Sequence, residues 1–148
     1  MPRPLPALLF IAACILLGVA WLNADRLRQL AEPQGAIAHS LDCPQLQAGC
    51  TFELAGRAFH LKTAEQPQPG QPFELRLRGT ARTVSASWRM EGMDMGPNRY
   101  RLLASDGQQW SARTALPLCT AARDDWQLWL SIDERLVVVR TTIAHGKN

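Results

Sequence analysis

The sequence lacks the features that identify several large classes of protein. Its 148 residues carry a formal charge of only +3, and the charges are interspersed, with no run of basic residues. Nucleic-acid-binding proteins usually gather lysine and arginine into a patch or stripe, so this class has little support. We find no Ser/His/Asp or Cys/His nucleophile arrangement and no phosphate-binding loop, so the sequence does not predict an enzyme.

Length and composition are those of a small folded protein. Apolar residues make up 47% of the chain and charged residues 20%, which is typical of a globular domain and not of a disordered chain. A chain of this length can form one ordinary domain with a short additional segment. No internal repeat or second domain is recognisable.

The longest apolar run lies near the N-terminus, from Leu5 to Leu22. Its eighteen residues contain no charge, which suffices for a helix to cross most of a bilayer, and Arg3 precedes it. We predict an uncleaved transmembrane signal anchor with a helical extension over residues 1–32, because the run is longer than the apolar part of a usual signal peptide. The alternatives are cleavage after Ala24 and a lipoprotein site at Cys14.

Three of the four cysteines, Cys43, Cys50 and Cys119, follow this apolar run. The close spacing of the first two suits an oxidising compartment, so we predict an inner-membrane protein whose soluble domain lies in the bacterial periplasm. Three thiols cannot all pair within one chain. Either Cys43 and Cys50 form a disulfide and leave Cys119 free, or Cys119 is bridged to one of them.

The hydrophobic pattern changes to a period of two after a connector that we place at residues 33–50. Phe73, Leu75 and Leu77 alternate with charged residues, as in a strand with one buried face. Ala55-Gly56 separates two short apolar runs and predicts a hairpin turn.

Seven or eight short strands of this kind, with turns between them and no helical period, predict an all-β domain over residues 51–143. An immunoglobulin-like antiparallel β-sandwich, preceded by the transmembrane helix, is the fold we expect. A small barrel is the alternative fold. Residues 144–148 are expected to form a frayed tail.

Methionine is scarce, yet three of the four methionines fall in one short stretch: Met90, Met93 and Met95. Glycines flank the last two and Pro97 follows them, which is the composition of a turn. Thioether sulfur selects Cu(I), and residues two apart on an extended chain point the same way, so we predict Met93 and Met95 as Cu(I) ligands. Met90 would join them only if the chain turns or bulges at Gly92. Alternatively, Met90 is core and the other two pack against a loop or partner.

Three further residues are candidates for such a site. Cys119, if free, offers a thiolate, and His60 offers a ring nitrogen provided that it lies beside the turn. Trp88 offers its ring for a cation–π contact with a bound monocation. The alternatives are that His60 faces solvent and that Trp88 is a core tryptophan. The tryptophan with Met93-x-Met95 is similar to the Cu(I)/Ag(I) site of periplasmic carriers from metal-efflux systems, although its spacing differs.

The order of these features resembles that of the small FixH/YtkA-like membrane-anchored periplasmic domains, which are found beside cytochrome oxidase and copper-chaperone components. The residues that carry the resemblance are Met93-Asp-Met-Gly96, Asn98, Leu116-Pro117, Cys119 and Trp126. The resemblance implies an immunoglobulin-like fold, a role in copper delivery or cytochrome oxidase assembly, and a copper chaperone or oxidase assembly component as partner.

Together these observations predict a membrane-anchored periplasmic domain, not an enzyme, that binds or delivers Cu(I). The alternative is a protein-interaction module that uses the methionine-rich turn as a contact surface without metal.

Overall fold

The protein is represented by a computed structural model that describes residues 13, 14, 17–19, 21, 37–93, 95–118 and 123–144. The chain divides into two units, Met1–Gln34 and Gly35–Asn148. In the first unit the few described residues are helical and exposed, and most of the predicted anchor lies outside the described residues. Across the described parts of the chain, no helix is both long enough and apolar enough to span a bilayer.

The described part of the second unit contains ten strands in two sheets. They are β1 (Ile37–Asp42), β2 (Cys50–Leu54), β3 (Arg57–Thr63), β4 (Phe73–Arg78), β5 (Val84–Met90), β6 (Arg99–Arg101), β7 (Leu103–Ala104), β8 (Gln109–Thr114), β9 (Asp125–Ile132) and β10 (Arg135–Thr142). Sheet A has the order β1-β10-β9-β5-β6, and sheet B has the order β2-β3-β4-β8-β7. Neighbouring strands are antiparallel except β1 and β10, which are parallel.

The two sheets face each other across a core built by period-two alternation. Phe73, Leu75 and Leu77 of β4 are buried while the arginines between and after them are exposed, as predicted. Alternate residues of β5, from Val84 to Met90, are buried in the same way. The ring of Phe73 in sheet B meets the ring of Trp88 in sheet A edge to face, with centroids 5.6 Å apart. The prediction of an all-β sandwich is confirmed.

The predicted turn at Ala55-Gly56 is confirmed by its backbone geometry, and a second turn has the same conformation. Ala55 and Gly56 have φ of 52° and 72°, and they join β2 to β3. Asp133 and Glu134 have φ of 47° and 68°, and they join β9 to β10. Positive φ at both central residues matches the right-handed twist of the flanking strands, which makes these tight hairpins.

The side chain of Asp133 also connects the β9–β10 turn to the rest of the sandwich. Its carboxylate accepts hydrogen bonds from the backbone N–H groups of Arg82 at 2.7 Å and Thr83 at 3.1 Å, and from the Arg57 guanidinium at 2.9 Å. Burial by itself raises the pKa of Asp133, but these donors outweigh it and hold that pKa below its ordinary value of 3.8. The carboxylate is therefore a structural acceptor in its ionised form.

The structure differs from the sequence-based expectation at the N-terminal edge. Residues 33–50 are predicted to be a connector, whereas β1 lies within them and pairs with β10, and Cys50 opens β2. The strand has little alternation in burial because it is an edge strand, so it carries a weak local signal. Between β1 and β2, Cys43 and Cys50 form a disulfide with Cα atoms 6.0 Å apart, one of the pairings that the sequence leaves open.

A second difference is that the chain changes sheets within residues 99–104. They divide into β6 and β7, which belong to sheet A and sheet B respectively. Leu102, between them, is buried at the crossing. Together with β1, this division raises the number of strands above the seven or eight predicted.

Candidate functional site

The candidate site is the methionine turn, which we define as residues 90–97. Met90 is the last residue of β5; it is only 2% exposed and pairs with Trp126 of β9. The chain reverses directly after it, since the N–H of Met93 donates to the carbonyl of Met90 at 3.2 Å and Gly92 has φ of 74°. The chain therefore turns at Gly92, but the side chain of Met90 points into the core.

Met93 and Met95 lie at the margin between the core and solvent. Both are partly buried and pack against the apolar core. Asp94, between them, lies outside the described residues. The turn therefore presents two thioether side chains that are partly shielded by the sandwich and partly accessible.

Asn98 closes the turn on the side of β6. Ser87 and Arg99 form the last backbone pair between β5 and β6, so Asn98 is the next residue in register with Trp88. The Trp88 N–H donates to the side-chain oxygen of Asn98 at 2.6 Å, and the Asn98 amide donates to the Gly96 carbonyl at 3.2 Å. The carboxamide thus extends the strand ladder and connects it to the turn.

Arg123 braces the turn on the side of β9. Its guanidinium donates to the carbonyl of Glu91 at 3.2 Å and forms an ion pair with Asp125, the first residue of β9. The hydrogen bond from Arg123 holds the pKa of Asp125 below its ordinary value. Sequence reasoning missed Arg123, because a side chain that binds a main-chain carbonyl 32 residues away leaves no local pattern.

Trp88 is placed as a core tryptophan. It is 0% exposed and contacts Phe73, so its ring is closed off from ions at the surface. Its indole N–H has no hydrogen-bond partner among the described residues, and the same holds for Trp126 Nε1, Thr63 Oγ1 and Thr114 Oγ1. By register, Trp126 lies opposite Met90, and Thr114 lies opposite Phe73. Two of these groups, the indole N–H groups of Trp88 and Trp126, lie on the strands that adjoin the methionine turn.

The other predicted ligands are not brought to the turn by the described structure. His60 lies on the outer face of sheet B opposite Arg78, and its Nδ1 is 3.1 Å from the Thr51 hydroxyl. Met90 instead faces inward from sheet A, so His60 is separated from it by sheet B and the core. Cys119 lies outside the described residues. In the ranges that are described, no three His, Cys, Asp or Glu side chains form a metal-binding group.

No protein-family profile, curated protein or solved structure matches this chain. The methionine turn offers two partly exposed thioethers on a backbone fixed by Asn98 and Arg123. Thioethers do not titrate and are weak nucleophiles, so this arrangement is suited to binding a soft cation or an apolar surface.

Proposed function

We propose that this protein binds Cu(I) at the methionine turn through Met93 and Met95. The observation that carries the proposal is that both thioethers are partly exposed on a turn whose backbone is fixed before any ion binds. A ligand pair held in place in this way loses little conformational entropy on binding. Met90 acts as the buried base of the turn in this proposal.

Cys119 is the proposed further ligand. Because Cys43 and Cys50 are joined to each other, neither partner that the sequence allows for a disulfide with Cys119 is available. A free thiolate is a stronger soft ligand than a thioether and would raise the affinity of the site for Cu(I).

We further propose that the sandwich is immunoglobulin-like. The order β10-β9-β5 in sheet A corresponds to strands G, F and C of that fold, and the order β4-β8-β7 in sheet B corresponds to strands B, E and D. Trp88 occupies the buried tryptophan position of strand C. In this view β3 takes the position of strand A, and β2 is an addition to the edge of sheet B.

The proposed cellular setting is the periplasmic side of the inner membrane. A disulfide supports an oxidising compartment, and the apolar run from Leu5 to Leu22 supports an anchor. Delivery of copper to a chaperone or to cytochrome oxidase during its assembly rests on the resemblance to FixH/YtkA-like domains.

The test is a Cu(I) titration of the full chain in nonionic detergent, against a chromophoric competitor. We expect stoichiometric binding that changes little with pH, because thioethers carry no titrating proton. The double variant Met93→Leu/Met95→Leu should lose this binding, whereas the matched control Met90→Leu should keep it. Unchanged binding in the double variant, with an unchanged unfolding midpoint, would sink the proposal.

The second candidate function is a metal-independent contact surface. It is favoured by the packing of Met93 and Met95 against the core, where flexible side chains can adapt to an apolar partner. A photo-crosslinker at position 93 should then capture an inner-membrane partner with copper removed. Capture that strictly requires copper would contradict this function.

A further inference from the structure

The outer face of sheet B carries a cationic groove, which is separate from the methionine turn. It encloses about 420 Å³ and is formed by outward side chains of β3, β4 and β8. The residues that matter for its chemistry are Lys62, Glu74, Arg76, Arg78, Gln109 and Ser111. Leu77 and Trp110, whose side chains are buried, also border it.

The strand register places two cations side by side in this groove. Lys62 lies directly opposite Arg76, and Arg78 lies two residues from Arg76 on the same face of β4. Cations that face each other across an antiparallel pair destabilise the sheet, because their Cβ atoms are only about 5 Å apart. A sheet that retains such a pair gains from any anion that neutralises it.

Among the described residues, a neighbouring carboxylate neutralises one of these cations. Arg76 donates to Glu74 at 2.6 Å. Within the described ranges, neither Lys62 nor Arg78 forms an ion pair with a carboxylate. These two side chains are diagonal neighbours across β3 and β4, about 7–8 Å apart, a separation that long side chains can close around a single group.

A neutral donor lies beside Arg78. Gln109 lies opposite Arg78 on the other side of β4, and its side-chain amide donates one hydrogen bond to Asp106 at 3.1 Å and keeps a second N–H. The Ser111 hydroxyl, opposite Arg76, is engaged by the Glu74 carboxylate. A guanidinium donates two parallel hydrogen bonds to an oxyanion, a lysine supplies a point charge, and a side-chain amide adds a further donor. The two positive charges suit a phosphate group, either the inorganic anion or the monoanionic phosphodiester of a lipid headgroup.

We propose that this groove binds a phosphate group through Lys62 and Arg78, with the side-chain amide of Gln109 as an additional donor. The phosphate can come from free inorganic phosphate or from the headgroup of an anionic phospholipid. The proposal does not depend on copper binding, because it uses neither the methionine turn nor sheet A.

The test is an NMR titration of the full chain in nonionic detergent micelles, following backbone amide signals. Inorganic phosphate is the first probe, and saturable shifts are expected for amides of β3 and β4. In Lys62→Ala/Arg78→Ala the affinity should fall by about tenfold or more, because two charge-assisted contacts are lost. The matched control Arg99→Ala/Arg135→Ala removes the same charge from exposed positions outside the groove and should change the affinity less than about twofold.

A second arm separates the two sources of phosphate. Micelles that contain phosphatidylglycerol are compared with micelles that contain phosphatidylcholine. Shifts in the same amides with phosphatidylglycerol and none with inorganic phosphate would assign the site to a headgroup, and the reverse result would assign it to the free anion. Saturable binding by neither probe, equal shifts with both lipids, or equal loss of affinity in the control variant would overturn the proposal.

Discussion

Replacement of Asn98 tests whether the methionine turn is fixed by the contacts described above. The side-chain oxygen of Asn98 accepts from the N–H of Trp88 at 2.6 Å, and Trp88 itself is 0% exposed. The amide of the same side chain donates to the Gly96 carbonyl at 3.2 Å, in an exposed position. The two hydrogen bonds therefore differ in how readily water can replace the lost partner.

The two contacts predict different costs. Asn98→Ala leaves the N–H of Trp88 without its acceptor in a poorly hydrated place, which costs about 1–3 kcal/mol, whereas water can replace the bond to Gly96 for about 0.5 kcal/mol. We expect the free energy of unfolding to fall by about 2 kcal/mol. Asn98→Asp retains the acceptor and loses only the exposed bond, so it should cost less than about 1 kcal/mol.

The assay is urea unfolding of the full chain in nonionic detergent, followed by tryptophan fluorescence. The dependence of the unfolding free energy on urea concentration should be the same in both variants as in the wild type, which shows that the unfolded state is unchanged. If alanine and aspartate cost the same, the acceptor is not the contact that matters. If Asn98→Ala lowers the free energy of unfolding by less than about 0.5 kcal/mol, Asn98 does not fix the turn. The preorganisation of the turn would then no longer support Cu(I) binding.

Two further predictions concern the stability of the sandwich. Reduction of the Cys43–Cys50 disulfide removes a constraint on the unfolded chain, in a loop with a sequence separation of 7. Chain entropy predicts that the free energy of unfolding falls by about 2 kcal/mol. Urea unfolding with and without a reductant measures this loss, and coincident curves would contradict it. Asp133 has a lowered pKa, so its stabilisation is fully present above its ordinary value of 3.8 and is lost as the pH falls through the folded pKa. Asp133→Asn should therefore weaken the pH dependence of unfolding between about pH 5 and pH 2, and an unaltered pH profile would show that the ionised carboxylate is not responsible.

The strands of the core could be predicted because their signal is local. Phe73, Leu75 and Leu77 alternate with charged residues within six positions, and the structure buries those three. Ala55-Gly56 needs only its two flanking strands to define a hairpin. Period-two alternation and turn composition are both properties of short stretches, so neither depends on the rest of the fold.

The edge pairings could not be predicted because they join distant parts of the chain. Asp42 at the end of β1 forms an ion pair with Arg140 of β10, at a separation of 98 residues. The crossing at Leu102 likewise depends on which sheet receives each end of a short strand. Neither feature leaves a pattern within a few residues.

The residues of the methionine turn could be predicted from the sequence, but the contacts that hold the turn could not. The parity of β5 correctly places Met90 on the same buried face as Trp88, and Gly92 marks the turn. The hydrogen bonds from Asn98 and Arg123 join side chains to main-chain atoms 10 and 32 residues away. The position of His60 away from the turn follows from the assignment of β3 to sheet B, which is a property of the whole topology.

The parallel pairing of β1 with β10 gives the sandwich a preferred direction of mechanical resistance. The chain enters this pair at Ile37 and leaves it at Thr142, at opposite ends of the two strands. Tension between these points acts along the strands. It loads all five residue pairs between β1 and β10 together in shear, instead of separating the pairs one after another. If β1 were pulled away, the Cys43–Cys50 bond would keep the following segment from extending, so force would pass directly to β2.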